Sequence, residues 1–304
     1  MPVPKVAVLL PIFNSSKFII AQLGSIFSQQ NVEVDVYIYD DGSSDNTIAL
    51  IDGVFSHSNI FYVKNSSSFG SASLSFLHLI RTVDLVRYDY VSLSDHDDIW
   101  SCYKLSSAID NIRNTNSDAF SSSVLSVNIT KHGYTNPFLV KKHKPQRKYD
   151  YLFEGPGPGC TFVFTCRFIS HFKRFLATIT VPLDDLRWHD WFLYYFARMN
   201  KFSWFISSSP NMLYCQWGSN DTGVNKGMSA FIQRFSWVFS GWYFEQSRFM
   251  YNTIIAYSDC TDDQVSFLSC KFWLLNALSL RRSTTGSVCF CLAAIANVIK
   301  RKLK

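Results

Sequence analysis

Two acidic clusters, each at the end of an apolar run, are the residues of this chain best suited to chemistry. The first is Asp40-Asp41, after the run 36–39, and the second is Asp95-His96-Asp97-Asp98, after the run 90–93. Carboxylates this close repel one another, so a fold that brings them together needs a cation or a polar ligand to offset the repulsion. Two aspartates separated by one residue suit a hard divalent cation that shares its remaining positions with phosphate oxygens. The pattern predicts a metal-assisted site.

Aspartates also follow strands because they start turns and cap helices, and this explanation would account for Asp40-Asp41 alone. The second cluster argues against it, because three carboxylates within four residues exceed what a turn requires. Two such clusters in the N-terminal third favour one shared site at the carboxyl edge of an α/β sheet.

Apolar runs and helical periodicities alternate along the first hundred residues. They predict strands at 5–10, 32–39, 60–63 and 90–93, with helices at about 16–30, from about 45, and at 73–86. This alternation is typical of a mainly parallel sheet with helical crossovers. Later segments predict a strand at 119–129, a polar basic loop at 131–150, a glycine-rich turn at 155–159 before a strand at 160–165, and a helix from about 186. Aromatic-rich helices are expected from residue 231, and a domain boundary near 225.

Composition limits the protein class. The chain has 304 residues, 47% of them hydrophobic but only 17% charged, so we expect a large core and some apolar surface that meets a membrane or a partner. Eight cysteines without CxxC pairs argue against a zinc ribbon or a disulfide framework, and favour reduced thiols in the cytoplasm. No signal peptide is evident at the N-terminus. The net charge is +6, but no nucleic-acid-binding motif accompanies it, so no nucleic-acid partner is expected.

Several motifs in order resemble those of the family 2 glycosyltransferases, which have the GT-A fold. They are Pro11-Ile12-Phe13-Asn14, Ser25-Ile26-Phe27-Ser28-Gln29, Asp40-Asp41-Gly42-Ser43-Ser44-Asp45-Asn46-Thr47 and Ser94-Asp95-His96-Asp97-Asp98-Ile99-Trp100. The last of these, followed by Lys104-Leu105, most resembles the bacterial rhamnosyltransferase-like branch. The resemblance spans roughly residues 5–225, and it implies a GT-A α/β domain at 1–225 with a helical C-terminal extension at 226–304.

The resemblance also implies a donor site. Pro11, Phe13 and Asn14 would line the nucleotide pocket, although many relatives have Tyr where this chain has Phe13. Asp41 would hydrogen-bond the base, with Asp40 beside it.

The second acidic cluster would hold the rest of the donor. Asp95 would contact the ribose side, and Asp97 would bind the Mg²⁺ or Mn²⁺ that bridges the diphosphate. His96 is less suited as a ligand because a hard metal prefers oxygen.

Asp190 matches the catalytic base of the family, in a His-Asp-Trp segment similar to that of the rhamnosyltransferase-like branch. The other explanation of Asp190 is a helix cap. The adjacent His189 either orients the base or packs in the core, and Trp188 and Trp191 either form a wall for the acceptor sugar or belong to the core.

One segment departs from the family pattern. The run Tyr214-Cys215-Gln216-Trp217-Gly218-Ser219-Asn220 resembles a Tyr-Arg-Gln-His-X-X-Asn segment, with Cys215 and Trp217 in place of Arg and His. If that His contacts metal or diphosphate in relatives, this chain has lost the contact.

These features predict an inverting glycosyltransferase that moves a sugar, rhamnose by resemblance, from a nucleotide diphosphate donor to a saccharide acceptor. The acceptor would be lipid-linked and part of a bacterial surface polysaccharide such as O-antigen or capsule. Two alternatives stay open. A metal-dependent nucleotidyltransferase would use similar carboxylates but should have a basic diphosphate signature near its N-terminus. A degenerate, membrane-associated module would bind nucleotide without transfer, in keeping with Trp217.

The C-terminal residues predict a membrane contact. The apolar run 288–299 is shorter than the ~20 residues of a spanning helix, and it lies between Arg281-Arg282 and Lys300-Arg301-Lys302. Such a run suits a helix in the membrane interface with its basic residues among anionic headgroups. The alternative is a buried core helix with a solvated basic tail. An interfacial helix would hold the protein at the inner face of the cell membrane.

Overall fold

A central mixed sheet flanked by helices is the framework of the protein. The computed structural model describes residues 2–65, 67–130, 133–217, 240–255, 257, 270–284, 286–288 and 290–292. The strands are β1 Lys5–Ile12, β2 Glu33–Asp40, β3 Ile60–Tyr62, β4 Tyr90–Leu93, β5 Ile99–Trp100, β6 Ala119–Ser122, β7 Val124–Thr130, β8 Gly133–Val140, β9 Val163–Thr165, β10 Trp204–Ser207 and β11 Met212–Gln216.

The helices are α1 Ile19–Phe27, α2 Thr47–Phe55, α3 Ala72–Thr82, α4 Lys104–Thr115, α5 Cys166–Thr178, α6 His189–Met199, α7 Trp242–Ile255 and α8 Cys270–Leu275. Short 3₁₀ turns occupy Asp150–Leu152, Gly159–Thr161 and Ala277–Ser279.

The larger sheet has the order β10-β6-β9-β4-β1-β2-β3. The strand β1 pairs in parallel with β2 and β4, whereas β9 runs antiparallel to β4 and β6. The predicted mainly parallel sheet is therefore confirmed. Because β1, β2 and β4 are parallel neighbours, the residues that follow them lie at one edge of the sheet.

Both faces of this sheet are buried, which explains why its strands read as apolar runs. Successive side chains of β1 alternate between two cores. Ala7 and Leu9 pack on the side of α3, α5 and α6, while Val6 and Val8 pack on the side of α1 and α4. The core on the α6 side also contains Met250, Tyr251 and Ile254 of α7. The predicted boundary near residue 225 lies outside the described residues.

A smaller sheet of order β5-β11-β7-β8 lies beside the larger one. Its strand β11 pairs with β5, which begins directly after Asp98, and with β7. This pairing brings the Tyr214 segment next to the second acidic cluster.

Two strand predictions were wrong, and the strand predicted at 160–165 is shorter, since Gly159–Thr161 form a 3₁₀ turn and β9 begins at Val163. The expected single strand at 119–129 divides at Ser123 into β6 of the larger sheet and β7 of the smaller sheet. The expected loop at 131–150 contains β8, an edge strand antiparallel to β7. An edge strand with exposed side chains such as Leu139, which is 41% exposed, has little apolar face to produce a periodic signal.

Several helix boundaries also differ from the prediction, and α1 covers Ile19–Phe27 rather than about 16–30. The helix α6 begins at His189 rather than near Leu186, and α3 ends at Thr82 rather than Val86. In the part of the chain that the structure describes, no helix combines the length and the apolar character that crossing a membrane requires.

Candidate active site

The first acidic cluster is held by hydrogen bonds at the end of β2. Oδ1 of Asp40 accepts from the backbone N–H of Ser43 at 3.0 Å and from its hydroxyl at 2.7 Å. Asp41 is 7% exposed, and its Oδ1 accepts from the Tyr39 hydroxyl at 3.1 Å and the Phe69 N–H at 2.5 Å. Both carboxylates therefore have fixed orientations before any ligand arrives.

The end of β1 is tied to the same loop by Asn14. This residue has a left-handed backbone with φ of 44°, its side-chain oxygen accepts from the Ser44 N–H at 2.8 Å, and its N–H donates to the Ser43 hydroxyl at 2.9 Å. Pro11 is buried within β1, whereas the Phe13 side chain is 53% exposed. An exposed aromatic ring next to an oriented carboxylate can stack on a base while the carboxylate binds it.

The negative charges of the second cluster are compensated by hydrogen bonds much less completely than those of the first. Burial and then the repulsion of Asp97 raise the pKa of Asp95, and burial also raises the pKa of Asp97. Asp98 is 1% exposed; its Oδ1 accepts from the Cys215 N–H at 3.3 Å, while its Oδ2 is buried without a hydrogen-bond partner. Burial, followed by the charges of Asp95 and Asp97, raises its pKa well above the ordinary value.

The donor set of this cluster suits a hard cation. Ligand atoms of Asp95, Asp98 and Cys160 all lie within 4.8 Å of one another, whereas Asp97, the metal ligand that the family resemblance implies, is not in this group. Burial raises the pKa of the Cys160 thiol well above its usual value, and a hard cation prefers the carboxylate oxygens to its sulfur. Carboxylate oxygens with an unsatisfied buried atom among them fit Mg²⁺ or Mn²⁺. Nδ1 of His96 is buried without a hydrogen-bond partner.

A buried lysine borders the same cluster. Lys104 is 2% exposed, its Nζ lies 3.3 Å from the ring centroid of Trp100, and it donates to the Ser92 hydroxyl at 3.4 Å. Burial lowers its pKa to about 7, against the opposing charges of Asp98 and Asp95. Sequence reasoning treated Lys104 only as part of a motif. The sequence did carry a signal for the burial of Lys104. Lys104 stands one helical turn before Ala108, and both residues lie on the buried face of α4.

Asp190 lies on the same side of the molecule as the second cluster. A Cβ atom built at Gly159 would lie 3.5 Å from Cβ of Asp190, and the Sγ of the next residue, Cys160, lies within 4.8 Å of ligand atoms of Asp95 and Asp98. Burial raises the pKa of Asp190 itself to about 6, opposed by the Trp191 N–H, which donates to its Oδ1 at 2.7 Å, and by the charge of Lys142. The cap position of α6 is occupied by Trp188, without a side-chain cap hydrogen bond. Asp190 thus lies inside the first turn, where the helix dipole favours its ionised form.

His189 is packed against α3, and its Nε2 is buried without a hydrogen-bond partner. Its ring stacks on Phe76 at 4.3 Å between centroids, and burial lowers its pKa to about 3, so it is neutral. A Cβ atom at position 159 would lie 2.6 Å from Nε2 of His189 and 3.5 Å from Cβ of Asp190. Only glycine allows the glycine-rich turn to approach the start of α6 so closely.

The tryptophans divide between site and core. Trp217 donates from Nε1 to the Asp97 carbonyl at 3.4 Å and its ring lies 4.1 Å from that of Phe18, so it covers the turn of the second cluster. Trp191 is 3% exposed and belongs to the core, while the half-buried Trp188 contacts Trp242. Asn220 lies outside the described residues.

Comparison with known proteins gives a consistent set of relatives. Residues 7–174 match the family model described as Glycosyl transferase family 2. The dTDP-rhamnosyl transferase RfbG of Shigella flexneri is 34% identical over 295 residues, which cover 94% of this chain and 99% of that protein. An uncharacterized glycosyltransferase of Mycoplasma genitalium is 30% identical over 103 residues, 32% of this chain and 33% of that protein.

Solved structures share the fold. S. aureus TarS 1–349 in complex with UDP-GlcNAc has a TM-score of 0.59 and 16% identity, covering 91% of this chain and 74% of that one. A mannosyltransferase from Pyrobaculum calidifontis, in complex with GDP-Man and Mn²⁺, has a TM-score of 0.50 and 14% identity, covering 97% and 87%. These similarities confirm the predicted fold class.

Proposed function

This chain belongs to glycosyl transferase family 2, and from that premise we propose that it is an inverting rhamnosyltransferase with a nucleotide diphosphate donor. The observation that supports the proposal is the position of the turn Gly159–Thr161, which lies against Asp190 at Gly159 and against Asp95 and Asp98 at Cys160. The similarity over nearly the whole chain to a dTDP-rhamnosyl transferase supports dTDP-rhamnose as the donor.

The donor nucleotide would bind at the first cluster. Asp41 would accept a hydrogen bond from the base, and the exposed ring of Phe13 would stack on it. Pro11 and Asn14 would line the pocket, with Asp40 holding the loop that closes it. The hydrogen bonds that orient Asp40 and Asp41 support this assignment, because an oriented acceptor loses little freedom on binding.

The diphosphate would bind at the second cluster. Asp97, with Asp95 on the ribose side, would hold Mg²⁺ or Mn²⁺, whose charge stabilises the leaving diphosphate when the ion is bound. The raised pKa values of these carboxylates support the assignment, since a bound cation would relieve the repulsion between them.

Asp190 would take the proton from the acceptor hydroxyl as that oxygen attacks the sugar from the side opposite the diphosphate. A general base with a pKa of about 6 is ionised at neutral pH and still basic enough to accept a proton. The charge of Lys142 favours this ionised form.

The acceptor would be a lipid-linked saccharide of a bacterial surface polysaccharide, and the C-terminus would contact the membrane. Val288 and Leu292 are 45% and 63% exposed, whereas Phe290 and Cys291 are buried. Replacing the exposed Val288 and Leu292 with aspartate should therefore release the protein from anionic vesicles in a flotation assay, with unchanged nucleotide affinity and an unchanged unfolding midpoint. Unchanged flotation would contradict the membrane contact.

A donor panel tests the proposed function. Radiolabelled dTDP-rhamnose, UDP-GlcNAc and GDP-mannose are each incubated with the protein and lipid-linked saccharides, with and without Mn²⁺. The expected result is transfer of label from dTDP-rhamnose only when metal is present. Binding without transfer from any donor would favour a degenerate binding module, and transfer of the nucleotide rather than the sugar would favour a nucleotidyltransferase.

A further inference from the structure

Arg282 connects the C-terminal residues to the loop that leads into the glycine-rich turn. Its Nη2 donates to Oε1 of Glu154 at 3.2 Å and to the Gly155 carbonyl at 2.5 Å, and its backbone N–H donates to Oε2 of Glu154 at 2.8 Å. The side chain of Arg282 is only 2% exposed. One guanidinium therefore holds both a carboxylate and a backbone carbonyl at the start of the turn.

The turn that begins there lies against the catalytic end of α6. A Cβ atom built at Gly155 would lie 3.7 Å from Cβ of Trp191. A Cβ atom built at Gly159 would lie 3.5 Å from Cβ of Asp190. A Cβ at Gly157 would lie 3.6 Å from Cγ of Lys142. The position of the turn thus determines what packs beside Asp190.

Further contacts dock the same C-terminal residues along the loop. Nη2 of Arg147 donates to the Thr284 hydroxyl at 2.9 Å, and the Tyr149 N–H donates to the Ser279 carbonyl at 3.2 Å. The ring of Phe290 lies 4.4 Å from that of Phe153. These contacts bring Arg282 to Glu154, but they do not reach the Gly155 carbonyl.

Stability alone is a poor explanation of this ion pair. Nε and Nη1 of Arg282 are buried without hydrogen-bond partners, and unsatisfied buried donors are costly. A buried ion pair can often be replaced by apolar side chains without loss of stability. What apolar side chains cannot reproduce is the hydrogen bond to the Gly155 carbonyl.

We propose that Arg282 is a positioning residue for sugar transfer, which fixes the turn at residues 155–159 against Asp190. The inference rests on the proposed role of Asp190 as the base. If Arg282 has this role, the C-terminal segment contributes to the active site, because its Arg282 side chain holds the turn through the Gly155 carbonyl.

The test compares Glu154→Gln/Arg282→Met with the parent. The double substitution removes both charges together and keeps a side-chain oxygen at position 154 that can accept from the backbone N–H of position 282, so its unfolding midpoint should stay near that of the parent. Arg281→Met is the matched control, since Arg281 lies 3.9 Å from Glu154 but is more exposed than Arg282. We measure kcat, nucleotide affinity, and hydrogen exchange at the Thr161 and Phe162 amides, which donate to the carbonyls of Pro158 and Gly159.

The double variant should lose about 10- to 100-fold in kcat, as expected for a misplaced catalytic group, with nucleotide affinity within about twofold of the parent. Its Thr161 and Phe162 amides should exchange faster, while Arg281→Met should match the parent in all three measurements. Unchanged kcat, or amides as protected as in the parent, would overturn the proposal. A parent protein without transfer activity would contradict the proposed function instead, and the exchange rates would still decide whether Arg282 holds the turn.

Discussion

The two acidic clusters at one edge of the sheet differ in how their charges are compensated. Asp40 and Asp41 receive hydrogen bonds from backbone N–H groups and hydroxyls. Asp95, Asp97 and Asp98 are crowded, and burial raises the pKa of each. Carboxylates that are already satisfied are suited to recognising a neutral group in a fixed orientation. Carboxylates that repel one another are suited to a cation and to chemistry that depends on charge.

The comparison extends to the surroundings of each cluster. The first is tied to an exposed loop through Asn14, whereas the second is bordered by the buried Lys104, the covering ring of Trp217 and Asp190, the proposed base. Substitutions at the first cluster should therefore change affinity, and those at the second should change metal dependence and turnover.

The largest expected effect is at Asp190. Asp190→Asn keeps the shape of the side chain but removes the proton acceptor, so kcat should fall by roughly 10²–10⁴-fold. Donor affinity, measured by calorimetry, should be unchanged. The exposed Asp184 provides the control, and Asp184→Asn should leave both quantities unchanged. Loss of donor affinity in Asp190→Asn would place this residue in the nucleotide site instead.

The next effect is at Asp97. Asp97→Ala should abolish the enhancement of nucleotide diphosphate binding by Mn²⁺, a loss of about 10- to 100-fold, because the diphosphate charge is then poorly neutralised. Calorimetry with and without Mn²⁺ measures this difference. An enhancement equal to that of the parent would refute the assignment of Asp97 as a metal ligand.

A smaller effect is expected at the first cluster. Asp41→Asn weakens the charged hydrogen bonds from Phe69 and Tyr39, so nucleotide affinity should fall by about three- to tenfold. The loss should be the same with and without Mn²⁺, in contrast to Asp97→Ala. If Asp41→Asn lowers nucleotide affinity only when Mn²⁺ is present, the two clusters do not differ in their dependence on metal.

The smallest effect concerns pH. Burial raises the pKa of Asp190 to about 6, and a general base is active when deprotonated, so kcat/KM should rise as the pH increases through about 6. The charge of Lys142 lowers this pKa, so Lys142→Met should move the rise to higher pH without changing the plateau. If kcat/KM of Lys142→Met rises over the same pH range as that of the parent, Lys142 does not change the pKa of Asp190.

The buried parallel strands were the most predictable part of the fold. The apolar runs before both clusters correspond to β2 and β4, which are buried within the sheet, so their sequences carry the pattern directly. The edge strand β8 and the break at Ser123 were missed, since pairing partners far along the chain determine both.

The site was predictable only where motifs were contiguous. The sequence indicated Asp95, Asp97 and Asp190 separately, but it did not indicate the turn Gly159–Thr161, which lies against the start of α6 at Gly159 and beside Asp95 and Asp98 at Cys160. Cys160 drew no functional interpretation because a lone cysteine has no signal of its own. The contact of Arg282 with Gly155 joins residues 127 positions apart, and no local pattern predicts it.

The configuration of the transferred sugar tests the central claim, that Asp190 activates the acceptor on the face opposite the diphosphate. NMR of the saccharide product formed from dTDP-rhamnose reports the configuration at the anomeric carbon, which is compared with that of the donor. A direct displacement assisted by Asp190 predicts the inverted configuration. A product with the retained configuration would contradict the account, because it requires two displacements and a carboxylate that acts as a nucleophile rather than a base.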